Sequence, residues 1–438
     1  MLLNAADKAL WRLALPMIFS NITVPLLGLV DTAVIGHLDS PVYLGGVAVG
    51  ATATSFLFML LLFLRMSTTG LTAQAWGAKD PQRLARALVQ PLALALGAGV
   101  LIILLRLPLI DLALHIVGGS EAVLEQARRF LEIRWLSAPA SLANLVLLGW
   151  LLGVQYARAP VILLVVGNLL NIVLDLWLVM GLRMNVQGVA LATVTAEYAT
   201  LIIGLLMAKR VLTLRGVSLA MLKNAWRGDL RRLLALNRDI MLRSLLLQLC
   251  FGALTVFGAR LGSDIVAVNA VLMTMLTFTA YALDGFAYAV EAHSGQAYGA
   301  RDGSQLLEVW RAACRQSGMV ALAFALIYSL AGQYIIALLT SLPSLQQLAD
   351  RYLIWQTILP VVGVWCYLLD GMFIGATRGA EMRNSMAVAA AGFAVTLLTL
   401  PVLGNHGLWL ALAVFLALRG LSLALIWRRH WRRGTWFS

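Results

Sequence analysis

The sequence predicts an all-α polytopic membrane protein, with twelve transmembrane helices in two six-helix bundles related by a pseudo-two-fold axis along the membrane normal. Three observations carry that expectation: bulk composition, the recurrence of long apolar runs, and an internal repeat. The 438 residues are 61% hydrophobic and 12% charged, with a mean hydropathy of +0.87. Soluble domains carry roughly 45–50% apolar and about 25% charged residues, so a water-soluble core does not absorb this much apolar surface. Apolar runs at 92–105, 161–173 and 387–402 lie in stretches long enough to supply the roughly 20 helical residues that cross a hydrocarbon core. Backbone polar groups in lipid must be satisfied internally, and these runs lack the period-2 alternation of a barrel strand, which leaves helices.

Hydropathy places the first-half spans near 13–37, 43–66, 84–106, 124–152, 160–181 and 187–209. The second-half spans fall near 238–260, 265–290, 306–330, 347–376, 384–404 and 406–427. The first apolar segment follows Lys8 and Arg12 without a small-residue cleavage site, so a retained helix is expected and not a removed signal peptide. GLTAQAWGAKD at 70–80 resembles AHSGQAYGARD at 292–302, an offset of 222 that also pairs Gly36 with Gly258, Ala48 with Ala270, Arg129 with Arg351, and Gly149 and Gly153 with Gly371 and Gly375. One register held over more than a hundred residues marks a duplication. Six spans per half is an even number, so both halves enter the membrane from the same side, as parallel repeats do. The expected divisions are an N-terminal bundle at 1–212, a basic connector at 213–236 and a C-terminal bundle with a basic tail at 237–438.

Charge fixes the expected orientation. Of the 33 Lys and Arg, 23 fall on one set of alternate connections and six on the other (Arg106, Arg128, Arg129, Arg183, Arg260, Arg351), with Arg65, Arg134, Arg243 and Arg419 inside segments. The positive-inside bias places both termini in the cytoplasm, with the connector, which holds Trp226 and several arginines, on the anionic lipid surface. The net charge of +13 therefore reports topology and not a nucleic-acid partner. Cys250, Cys314 and Cys366 have no paired spacing, and the histidines at 37, 115, 293, 406 and 430 have no metal-ligand spacing. No cofactor or metal is expected.

Ionisable residues inside a membrane are costly and point to function. Comparison of the halves sharpens that test by showing what each acid's counterpart became. Asp31, in PLLGLVDTAVIG, maps to Ala253; Asn171 and Asp175, one helical turn apart in NLLNIVLD, map to Phe393 and Leu397. Thr193 and Glu197, again one turn apart, are candidates to complete the cluster. Desolvation disfavours the charged form of a carboxylate and a second acid adds repulsion, so such a cluster suits proton exchange near neutrality. Pro16 and Pro25 precede Asp31 in the same span and give it a site for bending. Asp284 and Glu291, with Asp370 beside Gly371, form a second candidate polar site, open to neutralisation by Arg65 or Arg243. Asn144, Gln155 and Tyr156 are candidate substrate contacts, as is Glu197.

With these residues in view, the sequence resembles the multidrug and toxic compound extrusion (MATE) family, and within it the branch named for DNA-damage-inducible protein F. The resemblance rests on LPMIFSNITVPLLGLVDTAVIGHL, on AQAWGAKD and GQAYGARD, and on NIVLD followed by VQGVALATV. It implies a twelve-helix, two-bundle antiporter exchanging protons, or alternatively sodium ions, for small organic, amphipathic or cationic compounds. In this branch the implied coupling site falls on Asp31, Asn171, Asp175 and Thr193. Another bacterial branch carries acids in the seventh and tenth spans. Here the seventh has Arg243 and Gln248 with no acid between Asp239 and Asp264, which leaves Asp370 as a remnant.

The expected function is thus secondary active export by alternating access, by a monomer in the bacterial inner membrane. A lipid-linked sugar or lipid flippase of the same superfamily is the alternative, but it calls for a basic cavity where the intramembrane cluster is acidic. The loop WGAKDPQRLAR fits the major-facilitator pattern poorly. A membrane-embedded enzyme is disfavoured, since no GxSxG or HExxH occurs and Ser137 and Ser141 show no basic partner.

Overall fold

Apolar helices in lipid satisfy their own backbone groups, so the fold follows from where small residues let them approach one another. The computed structural model describes residues 5–36, 40–228 and 230–438, without the side chains of 23–33 and 36. Among the described residues the regular structure is helical throughout. The N-terminal half contains α1 (Ala5–Gly36), α2 (Pro41–Leu60), α3 (Phe63–Gly77), α4 (Pro81–Leu104), α5 (Arg106–Val117), α6 (Glu121–Arg134), α7 (Ala138–Gly153), α8 (Ala159–Asp175) and α9 (Asn185–Leu214). A short α10 (Leu219–Asn224) leads to α11 (Leu230–Leu261), α12 (Ser263–Ala300), α13 (Gly303–Leu339), α14 (Pro343–Gly375), α15 (Gly379–Thr396), α16 (Leu400–Leu403) and α17 (Asn405–Arg433). Eleven helical spans among the described residues are long and apolar enough to cross a membrane, several of them broken by a kink. The 32-residue α1 supplies the twelfth.

Several boundaries differ from the hydropathy reading. The second span runs from Pro41 to Gly77, bent at Leu61–Leu62, and α12 runs to Ala300. The repeated AQAWG and GQAYG segments are therefore last turns of helices and not loops, because they bury small side chains such as Ala73, Ala75 and Ala297. Only Ala78–Asp80 and Arg301–Asp302 turn the chain. A separate helix, α5, follows the third span where a loop was expected.

The duplication is visible in the backbone. Lys79 and Arg301 both adopt left-handed conformations, at φ 53° and 52°. Asp80 and Asp302 then cap the next helices through Oδ1, which accepts from the backbone amides of Arg83 (3.3 Å) and Gln305 (3.1 Å). The turns after the GxxxG helices repeat too, with Gln155 at φ 63° and Thr377 at φ 55°.

By internal contacts the chain forms two compact units, residues 22–234 and residues 1–21 with 235–438. In the first, α7 packs on α3 through Gly149 and Gly153. A Cβ on Gly149 would meet the Arg65 carbonyl oxygen at 2.5 Å, and one on Gly153 would meet the Thr72 side chain at 2.7 Å. Trp150, beside them, donates its indole N–H to the Leu84 carbonyl at 3.1 Å. In the second, a Cβ on Gly371 would meet the Ala287 carbonyl oxygen at 2.7 Å, and one on Gly375 the Ser294 Oγ at 2.5 Å. Arg65 and Ala287, like Thr72 and Ser294, are repeat counterparts, so the same helix–helix approach is built twice.

The start of α1 belongs to the second unit. Leu10, Leu13, Ala14 and Met17 are buried there, and Trp11 packs edge-on against Phe286. Asp7 accepts from Arg315 at 2.9 Å and from Gln316 at 3.2 Å. The helix α1 continues through Pro16, whose carbonyl accepts from Ser20 Oγ at 2.9 Å.

Valine at Gly149 or Gly371 is expected to destabilise the fold by roughly 1–3 kcal/mol through overpacking. The readout is loss of the monodisperse peak and a lower Tm in detergent. Gly97→Ala, where a Cβ meets nothing within 4 Å, leaves both unchanged.

Candidate functional site

The polar cluster expected from the sequence forms where α8 lies along α9. Their approach is close because Gly167 faces Thr200: a Cβ there would meet the Thr200 Oγ1 at 2.8 Å. Asn171 and Asp175, one turn apart on α8, are both buried, Asp175 with no exposed surface. Asn171 Nδ2 donates to Thr193 Oγ1 on α9 at 3.3 Å, and that hydroxyl donates to the Val189 carbonyl at 3.2 Å. Asn171 Oδ1 is buried and has no hydrogen-bond partner among the described residues. Immediately after Asp175 the chain winds into a π-helix at Leu176–Gly181. Such wide turns recur at functional sites because they loosen the hydrogen-bond ladder. Asp31 and Pro25 lie outside the residues whose side chains are described.

The second unit fills the same positions differently. The counterparts of Asn171 and Thr193 are Phe393 and Phe415, which meet edge to face with ring centroids 6.1 Å apart. Leu397 replaces Asp175, and there the chain tightens into a 3₁₀ turn, Leu397–Thr399. A hydrogen-bonded polar pair beside an acid in one half is thus an aromatic pair beside a leucine in the other.

One turn along α9, Glu197 is held by Asn144 of α7. Asn144 Nδ2 donates to the Glu197 carbonyl at 3.1 Å and to its Oε2 at 2.9 Å. These two candidate contacts therefore engage each other. Gln155 and Tyr156 sit apart, in the turn between α7 and α8. Asn171 lies twelve residues into α8, about 18 Å along the axis from that turn. Tyr156 packs against the apolar core of its unit. They belong to a turn because Gln155 takes a left-handed conformation that a helix does not accept. Ser137 does have a basic neighbour: Arg134 donates to its Oγ, and Ser141 lies 3.2 Å away. A guanidinium has no acceptor and does not act as a base, so no nucleophile is activated.

In the second unit Asp370 is clamped by two arginines. Its Oδ2 accepts from Arg243 at 2.6 Å and from Arg419, all three groups being buried. Arg243 is thus committed to Asp370. Arg419 was visible in the sequence only as a charge inside a span; nothing there named its partner. Asp284 is half-buried on α12. Glu291 lies two turns further along α12, buried, with its carbonyl facing Gly375. Arg65 sits in the other unit, where its Nη1 lies 3.4 Å from Thr69 Oγ1. A further network escaped the sequence reading: Asn269 and Asn405 exchange hydrogen bonds at 2.9 and 2.8 Å, and Trp409 donates to Asn269 at 3.0 Å. Single amides in apolar helices carry no signal of which helix they face.

Apolar spans in duplicated halves, with a buried Asn–Thr pair and acid in one where the other has two phenylalanines and a leucine, define a multi-pass membrane transporter fold. The chain belongs to the MatE family, whose model matches residues 16–177 and 240–403. It is 87% identical over 436 residues to DNA damage-inducible protein F of Escherichia coli (strain K12), covering 100% of this chain and 95% of that relative. It is 23% identical over 431 residues to the probable multidrug resistance protein NorM of Acinetobacter baylyi, covering 96% and 94%. A crystal structure of MATE in the straight conformation matches with a TM-score of 0.85 at 22% identity, over 98% of this chain and 96% of that one. At that identity the likeness speaks for the fold.

Replacing Asp370 by Asn leaves two buried guanidinium groups without their counter-charge, a cost of roughly 3–5 kcal/mol. The expected outcome is a large fall in Tm in detergent. Asp111→Asn, which removes only an exposed pair with Arg128, leaves the Tm where it was.

Proposed function

We propose that this protein is a secondary active multidrug exporter of the bacterial inner membrane. Inward proton movement drives efflux of small amphipathic or cationic compounds by alternating access. Both termini face the cytoplasm, and the monomer is the working unit. Asp31, Asn171, Asp175 and Thr193 form the coupling site.

The observation that carries this reading is the broken duplication on α8 and α9. Two helices that meet in the same way in both halves hold a buried Asn–Thr pair and a buried acid in one, and Phe393, Phe415 and Leu397 in the other. An acid with no exposed surface is costly unless its charge is put to use. Burial also makes its protonation state sensitive to what binds beside it. Proton uptake at the cluster then weakens a cationic substrate's hold and changes the packing of α1 across Pro16 and Pro25. The π-helix after Asp175 offers a second place where the backbone yields. Membership of the MatE family and the relative described as a probable multidrug resistance protein support the substrate class.

The test is export of a fluorescent organic cation from proteoliposomes under an imposed pH gradient. Asp31→Asn and Asp175→Asn each mimic the protonated acid permanently, so each is expected to fold, to bind the cationic dye more weakly and to lose about tenfold or more of gradient-driven export. Retention of wild-type export by both variants removes the cluster from coupling. A sodium gradient at equal pH on both sides is expected to drive no export; export under sodium alone reassigns the ion. Thr193→Val, which removes only the hydroxyl bonded to Asn171, lowers the rate less than either aspartate variant.

A further inference from the structure

In the N-terminal unit the end of α3 and the starts of α4 and α11 enclose a cavity of about 130 Å³. Arg83, Arg86 and Arg232 line it with Gln90, over an apolar floor that includes Leu71 and Leu233. Gln90 donates to the Trp226 carbonyl at 3.2 Å and so ties the connector over the cavity. The Arg86 guanidinium lies flat against Gly228, where an added Cβ would meet its Cζ at 2.9 Å. Arg232 Nη2 is 3.3 Å from Gln74 Oε1.

The cavity lining holds three arginines and, among the described residues, no carboxylate. Arg83 lies within electrostatic reach of Arg232 and Arg86, with Asp80 the carboxylate nearby. Oδ1 of Asp80 already caps α4 through the amides of Gln82 and Arg83. Arg86 Nε is buried and has no hydrogen-bond partner among the described residues. Asp229 lies outside them. Three convergent guanidinium groups repel one another unless an anion sits between them, and their planar forks match tetrahedral oxyanions.

We propose that this cavity binds a phosphate group, held by Arg83, Arg86 and Arg232. Its depth selects the source. Arg83 and Arg86 occupy the first turns of one membrane span and Arg232 the first turn of another, with apolar residues below. That is the level of lipid headgroups, so an acidic phospholipid fits better than free phosphate. None of the lining residues belongs to the coupling cluster on α8 and α9, so the site stands or falls separately from proton coupling.

The experiment uses the full-length protein in phosphate-free buffer, in nanodiscs of phosphatidylcholine with or without phosphatidylglycerol. Tm is followed by tryptophan fluorescence and retained lipid by native mass spectrometry. Phosphatidylglycerol is expected to raise the Tm by several degrees and to remain bound. The double variant Arg83→Gln/Arg86→Gln is expected to weaken that binding about tenfold or more. Arg311→Gln, which removes one exposed positive charge from α13, leaves the shift intact. A second arm adds inorganic phosphate to phosphatidylcholine nanodiscs. An equal rise there, lost in the double variant, supports the phosphate site with a soluble source; no rise there assigns it to lipid. A response to neither anion, or one that survives in the double variant, overturns the site. If the double variant does not fold, Arg83→Gln alone, at a half-buried position, carries the same comparison.

Discussion

The close approach of a glycine-bearing helix to the carbonyls of its neighbour is the contact on which each half of this protein is organised. Lipid tails are as apolar as leucine, so burial alone does not drive membrane helices together; packing and polar contacts must. Gly149 and Gly153 let α7 settle onto α3, and Gly371 and Gly375 let α14 settle onto α12. A side chain at any of these positions would hold the helices apart. That approach also places what the partner helix carries, Thr69 and Thr72 in one half and Glu291 and Ser294 in the other. The left-handed residues that follow, Gln155 and Thr377, turn the chain at the same point in each half.

On this common scaffold the two halves have diverged in their interiors. The position that is Glu197 in the first half is Arg419 in the second, and each has found a partner suited to its charge: Asn144 for the glutamate, Asp370 for the arginine. Asn171 and Thr193 have given way to Phe393 and Phe415. Buried polar groups need partners to offset desolvation, whereas an aromatic pair needs only volume. The second half has thus become more apolar at one level of its helices while concentrating charge at another. Divergence of this kind is tolerated because the glycine contacts, and not these positions, set the helix spacing.

Most of the architecture was legible in the sequence, and for a simple reason. Span count follows from apolar length, which is a local property, and the duplication follows from a register that any reader of the chain can align. The cluster on α8 and α9 was legible for the same reason: Asn171 and Asp175 are one turn apart, and the alignment of halves showed them replaced. Boundaries were less legible, because small residues such as those of AQAWG and GQAYG serve a loop and a packed helix end equally well. Side-chain partners were least legible. Arg243, Asp370 and Arg419 are separated by 127 and 49 residues, and only packing brings them together.

By itself, then, the sequence determined that this chain lives in a bilayer, how many times it crosses and where its two halves cease to be alike. Those properties are sums or patterns over neighbouring residues. The tertiary structure decided which charges neutralise one another and that Asn144 is engaged with Glu197 while Gln155 and Tyr156 belong to a turn. It also decided that the first turns of α1 pack with the second unit, and that Arg232 joins the chain-distant Arg83 and Arg86 at one cavity. Each of these depends on the rotation of one helix about its axis relative to another. That angle is set by interlocking side chains far apart in sequence, and no single helix records it.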